Sequence, residues 1–106
     1  MGKMPAPTPY RYKNRSKVWL YDGPGGWHFV TLSGKQSSEI AFLAAHSKSA
    51  WGSIPVIATV GRTSWKTSVF PDKKRGAYLL PLKAAVRIKE KIAPGDTVAV
   101  TIEIQT

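Results

Sequence analysis

The chain has 106 residues, 42% of them hydrophobic, which is enough for one domain with its own core. Its 16 Lys and Arg against 6 Asp and Glu give a formal net charge of +10. This favours a polyanionic partner, although a small basic protein that is simply soluble has the same composition. The absence of cysteine excludes disulfides, thiolate metal sites and cysteine nucleophiles, and is typical of a cytoplasmic protein.

Residues 1–16 are predicted to form a flexible basic arm. Pro5, Pro7 and Pro9 alternate with small residues, which favours extended backbone and blocks a helix. The segment carries several cations and no acid. It contains no apolar run, so we expect neither a secretory signal nor a membrane anchor. Residues 17–106 are predicted to form a single small β-barrel domain.

Short strands separated by Gly- and Pro-containing turns follow the arm, which indicates a mainly β fold. The last strand is the clearest, because Val98, Val100 and Ile102 alternate with small or polar residues. A flat sheet of six strands would leave two unpaired edges, so we predict a six-stranded β-barrel, closed or partly open, with one or two short helices. The predicted strands are Val18–Tyr21, Trp27–Leu32, Ser53–Val60, Arg62–Phe70, Tyr78–Leu82 and Thr97–Gln105.

Two segments have the apolar spacing of amphipathic helices. The first is predicted over Ser38–Ser47, with Ser37 as its N-cap. The second is predicted over Lys83–Ile92. Its inward face is predicted to be Ala85, Ile88 and Ile92, and its outward face Lys83, Arg87 and Glu90.

The strand Arg62–Phe70 contains the candidate ligand-binding face. By strand alternation its cations and hydroxyls share one side, which suits a phosphate or carboxylate. Two tryptophans and a histidine are predicted to flank this face. The same residue types are also typical of a solvated sheet face, of aromatic barrel filling and of a hydrogen-bonded strand histidine, and the sequence leaves these alternatives open. The candidate ligand-binding residues are Trp27, His28, Arg62, Ser64, Trp65, Lys66 and Ser68.

A second candidate site is the dense basic zone of the loop after this strand and the helix that follows. If loop and helix face the same side, several phosphates would be neutralised there and binding would weaken steeply with salt. A solvated loop and helix exterior is the alternative. The candidate anion or nucleic-acid contacts are Lys73, Lys74, Arg75, Lys83 and Arg87.

Patterns for catalysis and for cofactors are missing from the sequence. His28 and His46 are its two histidines, and neither lies in a metal-binding spacing, so we expect no metal site. No phosphate-cradling glycine motif and no nucleophile elbow is present, so we expect no cofactor and assign no catalytic residue. An enzymatic role is therefore left uncertain, with a binding role favoured.

Five segments, in order, closely resemble a bacterial and archaeal domain of unknown function. They are GGWHFVTL (25–32), WGSIPVIATVG (51–61), TSWKTSVFPDKK (63–74), YLLPLKAAVR (78–87) and APGDTVAVTIE (93–103). That family occurs alone or fused to a bacteriocin-protection (YdeI or OmpD-associated) segment. The resemblance implies a small, mostly β barrel with one or two helices and no established catalytic activity. It covers residues 17–104 and does not extend to the arm or to the bacteriocin-protection segment.

A weaker likeness joins Leu80-Pro81, the helix after it and the run Pro94–Val98 to half of the pattern in AbrB/MazE-type transcription regulators, which bind DNA. Together these features predict a binding module for an anionic partner such as nucleic acid. The alternative is a small-molecule-binding protein, or a minor enzyme, with a pocket for an anionic or aromatic ligand. A third possibility is a domain that docks an acidic protein partner. Ligand identity and oligomeric state are left open.

Overall fold

The computed structural model describes residues 11–45 and 52–105. Within them the chain forms six strands and two helices, in which the strands dominate. The elements in chain order are β1 (Arg11–Leu20), β2 (His28–Thr31), α1 (Gly34–Ala45), β3 (Ile54–Val60), β4 (Thr63–Asp72), β5 (Ala77–Pro81), α2 (Ala84–Glu90) and β6 (Thr97–Ile104).

The six strands close into an antiparallel barrel in the order β1-β2-β5-β4-β3-β6, with β6 returning to β1. Closure gives each strand two neighbours, so the backbone donors and acceptors that an open sheet would leave at its edges are paired. The predicted six-stranded barrel with two short helices is confirmed, and it is closed rather than partly open.

The interior is filled by alternate side chains of the strands. In β6, Val100, Ile102 and Ile104 are buried while the residues between them are more exposed, as the sequence pattern predicts. In β4 the same alternation turns Trp65 and Val69 inward. The side chains of Ser64 and Lys66 therefore lie on the outer surface, on the opposite side of the strand from Trp65.

Both helices pack against the barrel and add a side chain to its hydrophobic core. Helix α1 packs mainly against β5 and buries Ile40, and α2 packs against β4 and buries Val86. Neither helix is long and apolar enough to cross a membrane, among the residues described.

The predicted arm is too long at its C-terminal boundary. Residues 11–16 begin β1 and pair with β6, from Arg11 opposite Glu103 to Lys17 opposite Thr97. The cations of this segment alternate on the exposed side, while Asn14 and Ser16 turn inward and donate to the carbonyl of Thr31. Residues 11–16 contain few apolar side chains, so their sequence does not show the alternation typical of a strand. The strand is evident only from its pairing with β6. Residues 1–10 lie outside the described residues.

The predicted cap of the first helix is also wrong. The helix begins at Gly34, and the hydroxyl of Ser33 accepts a hydrogen bond from the Gln36 amide at 3.2 Å. Ser37 lies inside the helix and is 4% exposed. Its Oγ accepts from the backbone amide of Tyr78 at 2.9 Å, so this hydroxyl joins the helix to the barrel.

The predicted faces of the second helix are correct for Ile92, which packs against the core, but wrong for the residues within the helix. Ala85 and Ile88 are exposed, whereas Val86 is buried and Arg87 is half-buried against the barrel. The helix is one short element that ends at Glu90, where Lys91 takes a left-handed φ of 55°. With less than two full turns of helix, apolar spacing alone does not determine which side meets the barrel.

Candidate functional site

Five aromatic side chains gather on the outer face of β1, β2 and β4 and on the turn between β1 and β2, and we call this surface the aromatic platform. Trp19 of β1 lies opposite Phe29 of β2 in the ladder, and Phe70 of β4 lies opposite Leu79 of β5. The strand order β1-β2-β5-β4 brings these positions together although they are far apart in sequence. The platform consists of Trp19, Tyr21, Trp27, Phe29 and Phe70.

Phe29 is the centre of the platform. Its ring is nearly parallel to that of Trp27, with an angle of 7° and centroids 6.0 Å apart, and it meets Trp19 at 5.1 Å and the edge of Tyr21 at 6.2 Å. The surrounding rings remain accessible, with Trp27 53%, Tyr21 46% and Phe70 43% exposed. Between them lies an apolar groove of about 300 Å³. A contiguous exposed apolar area of this kind often marks a site where a partner or ligand binds.

Gly25 allows the indole of Trp27 to take this position. The backbone there has a φ of 98°, and a Cβ atom would come within 2.8 Å of Nε1 of Trp27. A side chain at residue 25 would therefore strain the turn and displace the indole. The glycine-rich turn before β2 thus has a direct part in shaping the platform.

The loop between β4 and β5 brings positive charge to the edge of the platform, and we call residues Lys73, Lys74 and Arg75 the basic loop. The guanidinium of Arg75 lies over the ring of Trp19, 4.2 Å from its centroid. A groove of about 580 Å³ runs between this loop and the platform. Its lining includes two acids, Asp22 and Asp72, against the three cations, so the groove keeps a net positive charge.

Asp72 holds the basic loop in shape. One carboxylate oxygen accepts from Arg75 Nη1 at 2.6 Å and the other from the backbone amide of Lys74 at 3.0 Å. The hydrogen bond from the Arg75 side chain is the main cause that lowers the pKa of Asp72 below its ordinary value of 3.8. The carboxylate is therefore charged at neutral pH and orients Arg75 toward Trp19.

A second concave site lies beside the start of α2, and we call it the α2 cleft. It has a volume of about 330 Å³ and is bounded by the turn before β2, the middle of β4, the end of β5 and the start of α2. Three cations, Lys66, Lys83 and Arg87, line it together with Trp27 and Trp65, and the lining contains no acid. Trp27 belongs to both sites, since it also lines the groove of the platform.

His28 and Arg87 are joined across the α2 cleft. Nδ1 of His28 lies 2.7 Å from the carbonyl of Gly26, which can only accept, so this nitrogen carries the proton. Nε2 is then free to accept from Arg87 Nη1 at 3.3 Å, while Arg87 Nε donates to the carbonyl of Leu82 at 3.0 Å. Two contacts therefore fix the guanidinium, and its Nη2 has no partner among the described residues.

The structure brings some of the predicted ligand-binding residues together and separates the others. Trp27, His28, Trp65 and Lys66 line the α2 cleft. The remaining three lie elsewhere on the outer surface: Arg62 in the exposed β3–β4 turn, Ser64 in a 2.7 Å hydrogen bond with Thr59, and Ser68 opposite Pro55.

The predicted basic zone divides in a similar way. Lys83 and Arg87 line the α2 cleft, whereas Lys73, Lys74 and Arg75 border the platform. Trp19, Tyr21, Phe29 and Phe70 were not among the candidate site residues. The available signal is that large aromatics occupy the strand positions that alternate with the buried ones, such as Trp19 after Val18 and Phe29 before Val30. Their convergence follows from the strand order, which the sequence pattern does not specify.

A family model described as "Domain of unknown function (DUF1905)" matches residues 15–102, from the middle of β1 to near the end of β6. No curated protein matches the chain.

Proposed function

The chain belongs to the family of a small domain of unknown function, DUF1905, and from its own surface we propose that it binds single-stranded nucleic acid on the aromatic platform. The observation that supports this most is the combination of exposed, mutually packed rings with a cationic loop at their edge. Single-stranded nucleic acid needs both features, since its bases stack on aromatic side chains and its phosphates are neutralised by nearby cations.

The rings of the platform support stacking. Trp27 and Phe29 are almost parallel, and exposed aromatic surface extends to Tyr21 and Phe70. Stacking of one base on such a ring contributes about 1–3 kcal/mol and is tolerant of sequence. Asn and Gln side chains, which read base edges, are absent from the platform and the basic loop, so we expect little sequence preference.

Electrostatics supports the same partner. The net charge of +10 attracts a polyanion over distance, and the basic loop places Lys73, Lys74 and Arg75 where phosphates would follow bases stacked on the platform. The ion pair of Arg75 with Asp72 is exposed on the Arg75 side, which is about half accessible, so the guanidinium can also contact a phosphate.

The setting in the cell remains a prediction. We propose a cytoplasmic protein, because a chain without cysteine suits a reducing compartment. Bacterial or archaeal origin, and an occurrence of this family beside a bacteriocin-protection segment, are further proposals that rest on the resemblance of the sequence segments.

The test is the binding of a fluorescently labelled single-stranded oligonucleotide of mixed sequence, measured by anisotropy at low and moderate salt. We expect affinity that falls steeply with salt. Tyr21→Ala and Phe70→Ala each remove an exposed ring that does not line the α2 cleft. Each is expected to weaken binding by about 5- to 150-fold, which corresponds to the loss of one stacking contact.

Ile88→Ala is the matched control, since Ile88 is a large apolar side chain, 78% exposed, outside both sites. It should bind as the unsubstituted protein does. If Tyr21→Ala, Phe70→Ala and Ile88→Ala bind the oligonucleotide with equal affinity, the platform is excluded as the binding site. No binding of any oligonucleotide would overturn the proposed function.

A further inference from the structure

The α2 cleft has the chemistry of a site for a small, multiply charged anion. Lys66, Lys83 and Arg87 converge on it, and its lining contains no carboxylate to neutralise them. Among the described residues, neither Lys66 nor Lys83 has an ion-pair partner. Three cations brought together without an acid repel one another, so an anion that enters the cleft relieves this repulsion as well as forming new contacts.

The cleft is also prepared for such a ligand. Arg87 is held from two sides, by the carbonyl of Leu82 and by Nε2 of His28, so little side-chain freedom is lost when an anion binds. Because its remaining nitrogen, Nη2, has no partner within the described residues, it is available for a charge-assisted hydrogen bond. The lysines add flexible donors from β4 and from the start of α2.

The walls of the cleft favour a ligand with a planar ring next to its charge. Trp27 lines it and is 53% exposed, so its indole is accessible to a ligand, whereas Trp65 borders the cleft from β4 with its side chain packed in the barrel core. The volume of about 330 Å³ is at the small end of the range of ligand pockets, about 300–1,000 Å³. This leaves room for one small ligand and not for a folded partner.

The α2 cleft is continuous with the platform through Trp27, which lines both. A strand whose bases stack on the platform would therefore reach the cleft at one end. A terminal phosphomonoester carries about −1.5 to −2 charges near pH 7, whereas an internal phosphodiester carries one. Three cations without an acid favour the more highly charged group.

We propose that the α2 cleft binds a phosphomonoester attached to a nucleoside, as found at the phosphorylated end of a nucleic-acid strand or in a free mononucleotide. The strand-end source rests on the proposed function, whereas the mononucleotide source does not. In both cases Lys66, Lys83 and Arg87 contact the phosphate, and Trp27 contacts the base.

The experiment compares three internally labelled oligonucleotides of one sequence, with a 5′-phosphate, a 3′-phosphate or hydroxyls at both ends. One of the two phosphorylated oligonucleotides is expected to bind at least about tenfold more tightly than the oligonucleotide with hydroxyls at both ends. A difference of this size corresponds to one charge-assisted hydrogen bond. In parallel, a nucleoside 5′-monophosphate and its nucleoside are titrated into the protein, with the indole NMR signals as the readout. The monophosphate should shift these signals and the nucleoside should not.

Lys66→Gln and Lys83→Gln test the residues. Both side chains are exposed, so folding is expected to be preserved, and each variant should lose most of the preference for the phosphorylated end. Lys89→Gln is the matched control, because it removes an equal charge from an exposed position of α2 that does not line the cleft. It should keep the preference.

The outcomes separate the two proposals. If all three oligonucleotides bind equally and the monophosphate causes no shift, the cleft proposal is overturned while binding on the platform stands. If no oligonucleotide binds, but the monophosphate binds and this binding is lost in Lys66→Gln, the cleft is a mononucleotide site. The proposed function then fails. A preference that survives in both lysine variants would overturn the assignment of the cleft.

Discussion

The guanidinium of Arg75 lies 4.2 Å from the centre of the Trp19 ring and donates to Asp72 at 2.6 Å. One side chain therefore connects the basic loop to the aromatic platform. A cation in this position can contact the phosphate that follows a base stacked on the platform.

The Arg75 contact leads to a prediction about salt dependence. Arg75→Ala should weaken the binding of all single-stranded sequences alike, and the slope of log affinity against log salt should become smaller by about 0.7, because one phosphate contact is lost. Arg75→Lys keeps the charge but loses the planar group on Trp19, so it should bind more weakly with the slope retained. Anisotropy titrations at several salt concentrations measure both. An unchanged slope in Arg75→Ala would exclude Arg75 as a phosphate contact.

The hydroxyl of Ser37 accepts a hydrogen bond from a strand amide, which leads to a second prediction. Just beyond β2 the Leu32 amide donates to the Tyr78 carbonyl at 2.9 Å, while the Tyr78 amide donates to Ser37 Oγ at 2.9 Å and not to the Leu32 carbonyl. Ser37→Ala should lower the free energy of unfolding by about 1–3 kcal/mol, because a buried donor loses its acceptor. Denaturant unfolding measures this. Ser38→Ala, at the exposed neighbouring position, should change stability little, and equal effects of the two would show that the bond contributes nothing.

Gly61 gives a third prediction. It is the first residue of the two-residue turn between β3 and β4, where φ is 58°, and a Cβ atom would collide with the carboxylate of Glu90. The other oxygen of that carboxylate accepts from Thr63 Oγ1 at 2.6 Å, so a shift of the Glu90 side chain to make room would disturb this bond, in addition to the backbone strain at positive φ. Gly61→Ala is expected to lower stability by about 1–3 kcal/mol or more.

Gly34→Ala is the control for Gly61. A Cβ atom at Gly34 would meet open space at the start of α1, so this variant should be neutral or up to about 1 kcal/mol more stable. Denaturant unfolding curves of the two variants provide the comparison. A Gly61→Ala protein that unfolds at the same denaturant concentration as the unsubstituted chain would contradict the proposed strain.

The lowered pKa of Asp72 predicts a pH dependence. The Arg75 side chain favours the charged carboxylate in the folded state, so the contribution of Asp72 to stability is complete above its ordinary pKa of 3.8. It declines as the pH falls below that value and is lost as the pH falls through the lower pKa of the folded state. The melting temperature of the protein should therefore exceed that of Asp72→Asn at neutral pH, and the difference should shrink in acid.

Asp72→Asn is a suitable comparison because its side-chain oxygen can still accept from the Lys74 amide. What the variant loses is the charged contact with Arg75. A difference in melting temperature that stays constant down to strongly acidic pH would contradict the assignment, since it could not arise from titration of this carboxylate.

The strands with clear alternation were predictable from the sequence. In β3 and β6 one set of alternate residues is apolar, and burial of that set is the largest favourable term available to a strand on a barrel wall. The barrel, which the sequence left closed or partly open, followed from the number of strands and from the cost of unpaired edges. The N-terminal part of β1 was not predictable in this way, because Asn14 and Ser16 face inward there and are satisfied by a carbonyl of β2.

The orientation of α2 and the place of Arg87 depended on contacts that a local pattern does not contain. Spacing within the helix assigned Ile88 to the core and Arg87 to solvent, yet Ile88 is exposed and Arg87 bonds to His28, which is 59 residues away in the chain. A short helix buries few side chains, so specific polar contacts can outweigh a weak apolar pattern. The predicted Arg62–Ser68 face was divided for a related reason, since its members meet different neighbours along the strand.

By itself the sequence determined that this chain is one small basic domain built mainly of strands. These features were predictable because composition, and the alternation of apolar and polar residues along a strand, can be recognised within each segment of the sequence by itself. The tertiary structure alone decided that Trp19, Phe29 and Phe70 share one surface, and that Lys66, Lys83 and Arg87 share one cleft. These groupings arise from the order in which strands pair around the barrel. That order is set by the packing of the whole chain, so residues distant in sequence become neighbours when the barrel closes.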